Sequence, residues 1–283
     1  MTDDSLPPDL PLDRTPFAIL DVETTGLNPA YGHRVCEIAC LRIEDGVETG
    51  RYETLVDPGR VISPGAFHVN GITPGMLAGA PPFEAVAAPL LALLGHAVLV
   101  AHNAPFDLGF LAAELEIACL PPPQGPVVDT LTLARRAYSF ARNSLDAVAN
   151  ALGVEAGQAH RAMGDVWTTW GVLDRILTDL GQRWNVTTLG ELLAFQGDAI
   201  PYPHPQAIPL PPSIAEALDS SGRVRMRYAD ARGQETERTI RPLRVTEANG
   251  CQYLIAHCYR AGELRTFRLD RVIELLSEDS SLG

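Results

Sequence analysis

Four acidic residues and one histidine stand where their chemistry could combine. Asp21 and Glu23 end the apolar run that begins at Phe17. Period-two strand geometry puts both side chains on one face, where they can bind one cation. Thr24-Thr25-Gly26-Leu27 follows, a turn whose small residues let backbone N–H groups approach a ligand. Asp107 lies in Val100-Ala-His-Asn-Ala-Pro-Phe-Asp, where a strand hands over to a helix, and His160-Arg-Ala-Met-Gly-Asp165 opens a long helical segment. Singly, each has a plainer explanation: a solvated strand face, an acid favoured by a helix N-terminus, a cap. Together, four carboxylates in one place repel one another and hold protons unless cations neutralise them. All-oxygen ligation selects Mg2+ or Mn2+ over zinc or copper. Two such ions about 4 Å apart stabilise the attacking and leaving oxygens of an in-line displacement at phosphorus. A histidine, ordinarily titrating near neutrality, can take the proton from the attacking water.

Leu20-Asp-Val-Glu-Thr-Thr-Gly-Leu, Ala101-His-Asn-Ala-Pro-Phe-Asp and His160-Arg-Ala-Met-Gly-Asp resemble, in order, the three motifs of the DEDDh (DnaQ-like) 3′–5′ exonucleases. That superfamily includes the proofreading epsilon subunit of bacterial DNA polymerase III, ribonuclease T and oligoribonuclease. The resemblance spans residues 16–180, and the spacing of His160 and Asp165 is that of the His subclass rather than the Tyr subclass. It implies an RNase H-like mixed sheet flanked by helices, two divalent cations, and a set of roles. Asp21, Glu23 and Asp165 would hold the first metal, Asp21 would bridge to the second, and Asp107 would support the second directly or through water. His160 would be the general base. The Thr24 main chain would meet the terminal 3′-hydroxyl, and Leu27 and Phe106 would wedge against the terminal bases and sugar. Asn70, His102 and Asn103 complete the implied substrate-binding set. Ser63-Pro-Gly-Ala-Phe-His-Val-Asn-Gly-Ile is similar to a family segment that often carries Glu and His where Gly65 and Asn70 stand here. The departure bears on nucleotide grip, not on metal chemistry.

The elements that must position these residues can be read from pattern. Phe17–Glu23 reads as a buried strand, Val35–Ile43 as a half-exposed alternating one, and Arg51–Val56 as a third after the Glu44-Asp-Gly turn. Helices are expected over Pro82–Leu94, Phe106–Ile117, Asp129–Ala137, Ser144–Leu152 and Arg161–Leu180, with a short strand at His96–Ala101. Antiparallel strands followed by alternating helix and strand indicate an α/β domain with a mixed sheet. The expected organisation is a disordered leader over 1–15, an exonuclease domain over 16–195, a Pro-rich linker over 196–212 and a second domain over 213–277. In that last stretch a short helix precedes strands at Val224–Tyr228, Thr236–Ile240, Leu243–Thr246, Tyr253–His257 and Leu264–Leu269, split by Gly turns as in a small β-barrel. Ile240-Arg-Pro-Leu-Arg-Val, Tyr253-Leu-Ile-Ala-His-Cys-Tyr and Arg265-Thr-Phe-Arg-Leu-Asp-Arg are similar to the WYL domain, an Sm/SH3-like β-barrel, with Gln252 where the eponymous Trp would stand. The resemblance implies a nucleotide or nucleic-acid ligand and marks Tyr253, His257, Arg265, Arg268 and Arg271 as contacts.

Composition bounds the partners. Among 283 residues no apolar stretch can span a bilayer, and the acidic, Pro-rich start is unlike a signal peptide, so a cytoplasmic protein is expected. Five scattered cysteines without a C-x-x-C pair read as buried free thiols. The net charge is −13, yet half of the 22 basic residues, all of them Arg, fall within residues 213–277. That balance disfavours non-specific duplex binding and suits a protein that grips a short stretch of single-stranded DNA or RNA at its 3′ end. Three functions compete: a stand-alone exonuclease releasing nucleoside 5′-monophosphates, a proofreading subunit bound to a polymerase or sliding clamp, and a nucleic-acid sensor acting through the WYL-like domain.

Overall fold

The computed structural model describes residues 6–29, 33–157, 160–197, 199–202, 210–230, 233–248 and 251–276. The chain divides into two units, Met1–Ala207 and Ile208–Gly283.

In the first unit, β1 (Phe17–Thr24), β2 (Val35–Glu44) and β3 (Val47–Leu55) form an antiparallel meander, and β4 (Val98–Ala101) and β5 (Val127–Asp129) add in parallel beside β1. The sheet order is β3-β2-β1-β4-β5, the expected mixed sheet. Eight helices accompany it among the described residues: α1 (Pro64–Asn70), α2 (Pro74–Leu77), α3 (Phe83–Leu94), α4 (Ala104–Ile117), α5 (Thr130–Ala137), α6 (Leu145–Leu152), α7 (Ala162–Trp184) and α8 (Leu189–Gln196). Strand alternation divides the core in two. Phe17, Ile19, Ala39, Leu41, Ile43, Val98 and Val100 pack against α5, α6, α7 and α8. Ala18, Leu20, Val22, Ile38, Cys40 and Leu99 pack against α3 and α4. Asp21 and Glu23 continue the Phe17–Ile19 row, so period-two geometry aims them at the side where α7 lies.

Several expectations are corrected. β2 is buried nearly throughout rather than half-exposed, because both faces of this central strand are covered. From Leu6 onward the leader is folded, not disordered. Leu6, Leu10 and Leu12 pack on the core, Leu12 N–H donates to Thr187 O at 2.9 Å, and Leu189 N–H to Leu10 O at 2.9 Å. β5, α1, α2 and α8 escaped the sequence pattern, being three to eight residues long. The first unit also runs past the expected boundary at 195: Gln196 is buried, and Ile200 and Tyr202 pack on the α3–α4 core. Most of the Pro-rich linker, residues 203–209, lies outside the described residues. Cys36, Cys40 and Cys258 are buried free thiols as expected, whereas Cys119 is exposed. Among the described residues no helix is long and apolar enough to cross a membrane.

In the second unit, α9 (Pro212–Ser220) precedes β6 (Val224–Ala229), β7 (Glu235–Ala248), β8 (Cys251–Cys258), β9 (Glu263–Arg268) and β10 (Val272–Leu276). The order is β10-β6-β7-β8-β9, antiparallel throughout. Two expected strands are one, β7, which bends at a bulge between Pro242 and Arg244 instead of ending. Although β7 and β8 separate β6 from β9, Tyr228 meets Phe267 edge-on at 5.1 Å and its hydroxyl accepts Arg268 N–H at 3.2 Å. The sheet therefore curls toward a barrel.

The edge of β5 is closed by a side chain. Gln196 Oε1 accepts Asp129 N–H at 2.8 Å and its Nε2 donates to Val127 O at 3.0 Å, as a neighbouring strand would. Gln196→Ala leaves both groups buried without partners, and denaturant unfolding should show a loss of about 2–4 kcal/mol.

Candidate active site

The site lies at the C-terminal ends of β1 and β4 and the starts of α4 and α7. Asp21 pairs with Ala39 and Glu23 with Glu37 across the antiparallel ladder, and the register shifts between Glu23 and Thr24. Beyond that irregularity Thr24 still pairs with Val35 and Thr25 N–H donates to Arg34 O at 2.9 Å, so the chain leaves the ladder only after Thr25. From the parallel neighbour, β4 runs into Asn103, which caps α4 in the left-handed region (φ 70°), placing Asp107 in the first turn. Asp107 Oδ1 accepts Val22 N–H at 3.1 Å, which ties that carboxylate to the backbone between Asp21 and Glu23.

Asp165 sits in the first turn of α7, and its Oδ2 accepts His160 N–H at 3.1 Å while His160 itself adopts φ 59°. Glu23, His160 and Asp165 offer ligand atoms that all lie within 4.8 Å of one another. Gly157, three residues before His160, is pressed onto α7. A Cβ on Gly157 would come within 2.6 Å of Gly164 O, and Gly157 N–H donates to Thr168 Oγ1 at 2.9 Å. All five expected catalytic residues thus meet at one end of the sheet.

Their electrostatics are those of a crowded set. Asp21 is pushed well above the usual carboxylate range by burial and then by Asp107, Asp165, Glu23 and Glu37. Burial raises Glu23 to about 7, helped by Asp165 and Glu37 and opposed by an Asn70 hydrogen bond and Arg161. Burial raises Asp107 to about 8, against the Val22 N–H bond and with Asp129 and Glu23 adding to it. Asp165 is raised by burial, against the hydrogen bond from His160 N–H. Carboxyl oxygens that retain protons for want of positive charge are a donor set suited to hard divalent cations, so the buried Asp107 and the partly buried Asp21, Glu23 and Asp165 fit the group the resemblance implies.

Around this centre, some expected substrate contacts prove to be supports. Asn70 is 6% exposed, donates from Nδ2 to Thr24 O at 3.2 Å and accepts Ile72 N–H, so it braces the loop from beneath. His102 has both nitrogens occupied, Nε2 against Asn143 O and Nδ1 against Thr130 Oγ1, each at 2.9 Å. A carbonyl can only accept, so Nε2 carries the proton of the neutral ring, while the Thr130 hydroxyl beside Nδ1 also donates to Ala101 O at 3.3 Å. Burial lowers the pKa of His102, in keeping with that neutral ring. Leu27 (75% exposed) and Asn103 remain on the surface, and Phe106 leans on Phe110 at 5.1 Å. Thr24 is buried.

Four residues of this arrangement were not anticipated. Glu37, 1% exposed, is forked by Arg161. Asp129 binds Asn103 N–H, Leu131 N–H and Thr132 N–H, so one carboxylate holds the starts of both α4 and α5. His33 fills the space above Gly26, where a Cβ would lie 2.2 Å from its ring, and its Nδ1 lies 3.2 Å from Thr25 Oγ1. Signals existed for two of them: Glu37 interrupts an apolar alternating row, and Asp129-Thr-Leu-Thr has the form of an N-cap.

In the second unit the expected ligand residues separate by strand parity. Tyr253 and Arg268 are opposite each other, and His257 shares their outer face. Arg265 pairs with Ala256 on the other face and forms an ion pair with Glu263, while Arg271 lies in a short 3-10 turn outside the strands. The outer face gains residues that sequence reading did not select. Arg241 stands opposite His257, Arg244 opposite Ile255, and Tyr259 meets His257 edge-on at 5.1 Å under the Arg223 guanidinium at 4.5 Å. This face thus sets aromatic rings among arginines.

The chain is similar to known proteins over both parts. A profile of the exonuclease family (RNase_T) matches residues 18–173, and one of the WYL domain matches residues 210–276. A DNA polymerase III subunit epsilon-like protein of Rhodobacter capsulatus is 39% identical over 188 residues, 65% of this chain and 26% of that protein. A PolC-type DNA polymerase III of Halalkalibacterium halodurans is 36% identical over 175 residues, 62% of this chain and 12% of the relative. The chain thus spans about a quarter or less of the length of these curated relatives. Among solved structures, Exonuclease X in complex with 5′-overhanging duplex DNA is 28% identical with a TM-score of 0.51, covering 64% of this chain and 99% of that one. With an RNase H-like sheet carrying Asp21, Glu23, Asp107, His160 and Asp165 in one place, the chain belongs to the exonuclease family, and its second unit is a WYL domain.

Proposed function

We propose that the chain is a 3′–5′ exonuclease that trims single-stranded nucleic-acid ends to nucleoside 5′-monophosphates. The observation that carries this reading is the convergence of four carboxylates and His160 from β1, α4 and the start of α7. Two divalent cations, Mg2+ or Mn2+, held by Asp21, Glu23, Asp107 and Asp165, supply the positive charge that the carboxylates and a phosphodiester both require. His160, fixed at its backbone by Asp165, accepts the proton of the attacking water. Leu27, standing clear of the surface, packs against the terminal base. Phe106 and Asn103 flank the same end, and the Thr24–Gly26 loop presents backbone groups to the 3′-terminal sugar. The aromatic and arginine face of the WYL domain binds the strand or a regulatory nucleotide. The polymerase III relatives favour a second reading, a proofreading partner, which stable co-purification with a polymerase or clamp would distinguish.

End-labelled single-stranded DNA and RNA incubated with Mg2+ or Mn2+ test the proposal directly. Asp165→Ala should abolish shortening, and His160→Ala should slow it about 10²- to 10⁴-fold with the fold intact. Wild type and Asp165→Ala behaving alike would sink the reading. Tyr253→Ala should raise KM for a long strand about fivefold or more and leave kcat unchanged, as loss of a stacking contact does.

The raised carboxylates make a second prediction. An acid whose folded pKa lies above its unfolded value contributes stability at low pH that is lost as pH rises through the folded value. For Glu23 and Asp107 that window runs from their ordinary range up through about 7 and about 8. The cation-free chain should therefore be less stable at pH 8.5 than at pH 6, by on the order of 3 kcal/mol. Added Mg2+ should restore most of the loss, as measured by denaturant unfolding at each pH.

A further inference from the structure

Glu37 is a carboxylate at the site that none of the roles above uses. It stands directly opposite Glu23 on β2, in the row of Ala39, Leu41 and Ile43, almost wholly buried. Two carboxylates facing each other across an antiparallel pair repel, and a buried one without a partner is strongly unfavourable. One short stretch of chain meets both conditions. Arg161 forks onto Glu37, its Nε 3.1 and 3.2 Å from the two oxygens and its Nη2 2.6 Å from Oε1, and Ala162 N–H donates to Oε2 at 3.2 Å. His160 immediately precedes Arg161, and Asp165 lies within a turn of Ala162. Both oxygens of Glu37 are thus engaged by Arg161 and Ala162.

We propose that Glu37 is a positioning residue of the nuclease site. Through the Arg161 fork and the Ala162 amide it fixes the start of α7, and with it His160 and Asp165, against Glu23. Arg161 in turn cancels the charge that Glu37 would add to the metal ligands. The inference rests on the exonuclease reading of the same site.

It has a consequence that general loss of structure does not share: the two halves of the pair shift cation binding in opposite directions. Glu37→Gln frees a guanidinium whose next carboxylates are Glu53 and Glu23, placing a positive charge beside the ligands. Arg161→Gln leaves an uncompensated anion beside them.

The test is calorimetric titration of the full chain with Mn2+, together with steady-state cleavage of a single-stranded oligonucleotide. Glu37→Gln is expected to weaken Mn2+ binding about tenfold and Arg161→Gln to tighten it by a comparable factor. The double substitution is expected to return affinity to within about threefold of wild type. Both single variants should lose about tenfold or more in kcat with KM within about twofold of wild type, the pattern of a displaced reacting group. Arg161→Lys, which keeps the charge without the fork, disturbs the fold least and should keep Mn2+ affinity while lowering kcat several-fold. Mn2+ shifts of the same sign in the two single variants, or full kcat in Arg161→Lys, would overturn the proposal. A wild type that binds Mn2+ but does not cut would overturn the exonuclease reading alone, and the opposed Mn2+ shifts would still decide the role of Glu37.

Discussion

Like charges held at strand-pairing distance repel, and at the end of β1 this repulsion is the constraint to which the surrounding structure answers. Asp107, Asp165, Glu23 and Glu37 all lie close enough to raise the proton affinity of Asp21, and Asp165 and Glu37 that of Glu23. The protein balances one of the five with its own cation, Arg161, and leaves the other four poised for charge from outside.

A second regularity concerns acids that seat at helix starts. Asp129 collects the free N–H groups at the starts of α4 and α5, Glu37 does so for α7, and Glu191 forms a capping box with Thr188 at α8. Helix starts present unpaired donors and positive potential, so each is a natural seat for a carboxylate. Around this site they act as brackets. The helices that bring Asp107 and Asp165 inward are anchored to strands at their first turn, the point from which a small tilt displaces the functional group least.

Much of this was legible in the chain. The alternation Phe17–Ile19 against Ala18–Leu20 fixes which face Asp21 and Glu23 share, and three compact motifs identify the reacting groups without any knowledge of contacts. What escaped notice depends on pairings between distant residues. Nothing local in Asn70 or His102 tells whether an amide or imidazole turns toward solvent or into the scaffold. That is decided by Thr24 O, Asn143 O and Thr130, which are 28 to 46 residues away. Likewise strand alternation alone separates Arg268 from Arg265, but only the register of β8 with β9 tells that Arg268 joins Tyr253 while Arg265 faces Ala256. The boundary at 195 failed because Gln196 is polar and precedes a Gly, which reads as the start of a linker rather than as the last tie of a sheet.

That tie has a meaning beyond stability. A sheet with two bare edges can recruit strands from other molecules. In this sheet the β5 edge is occupied by an amide from the same chain, and the opposite edge, β3, carries Glu48, Arg51 and Glu53 along its exposed length. Charged outer residues on one border and an internal plug on the other leave little template for edge-to-edge association. Pairing of further strands along either border of this sheet is thereby disfavoured.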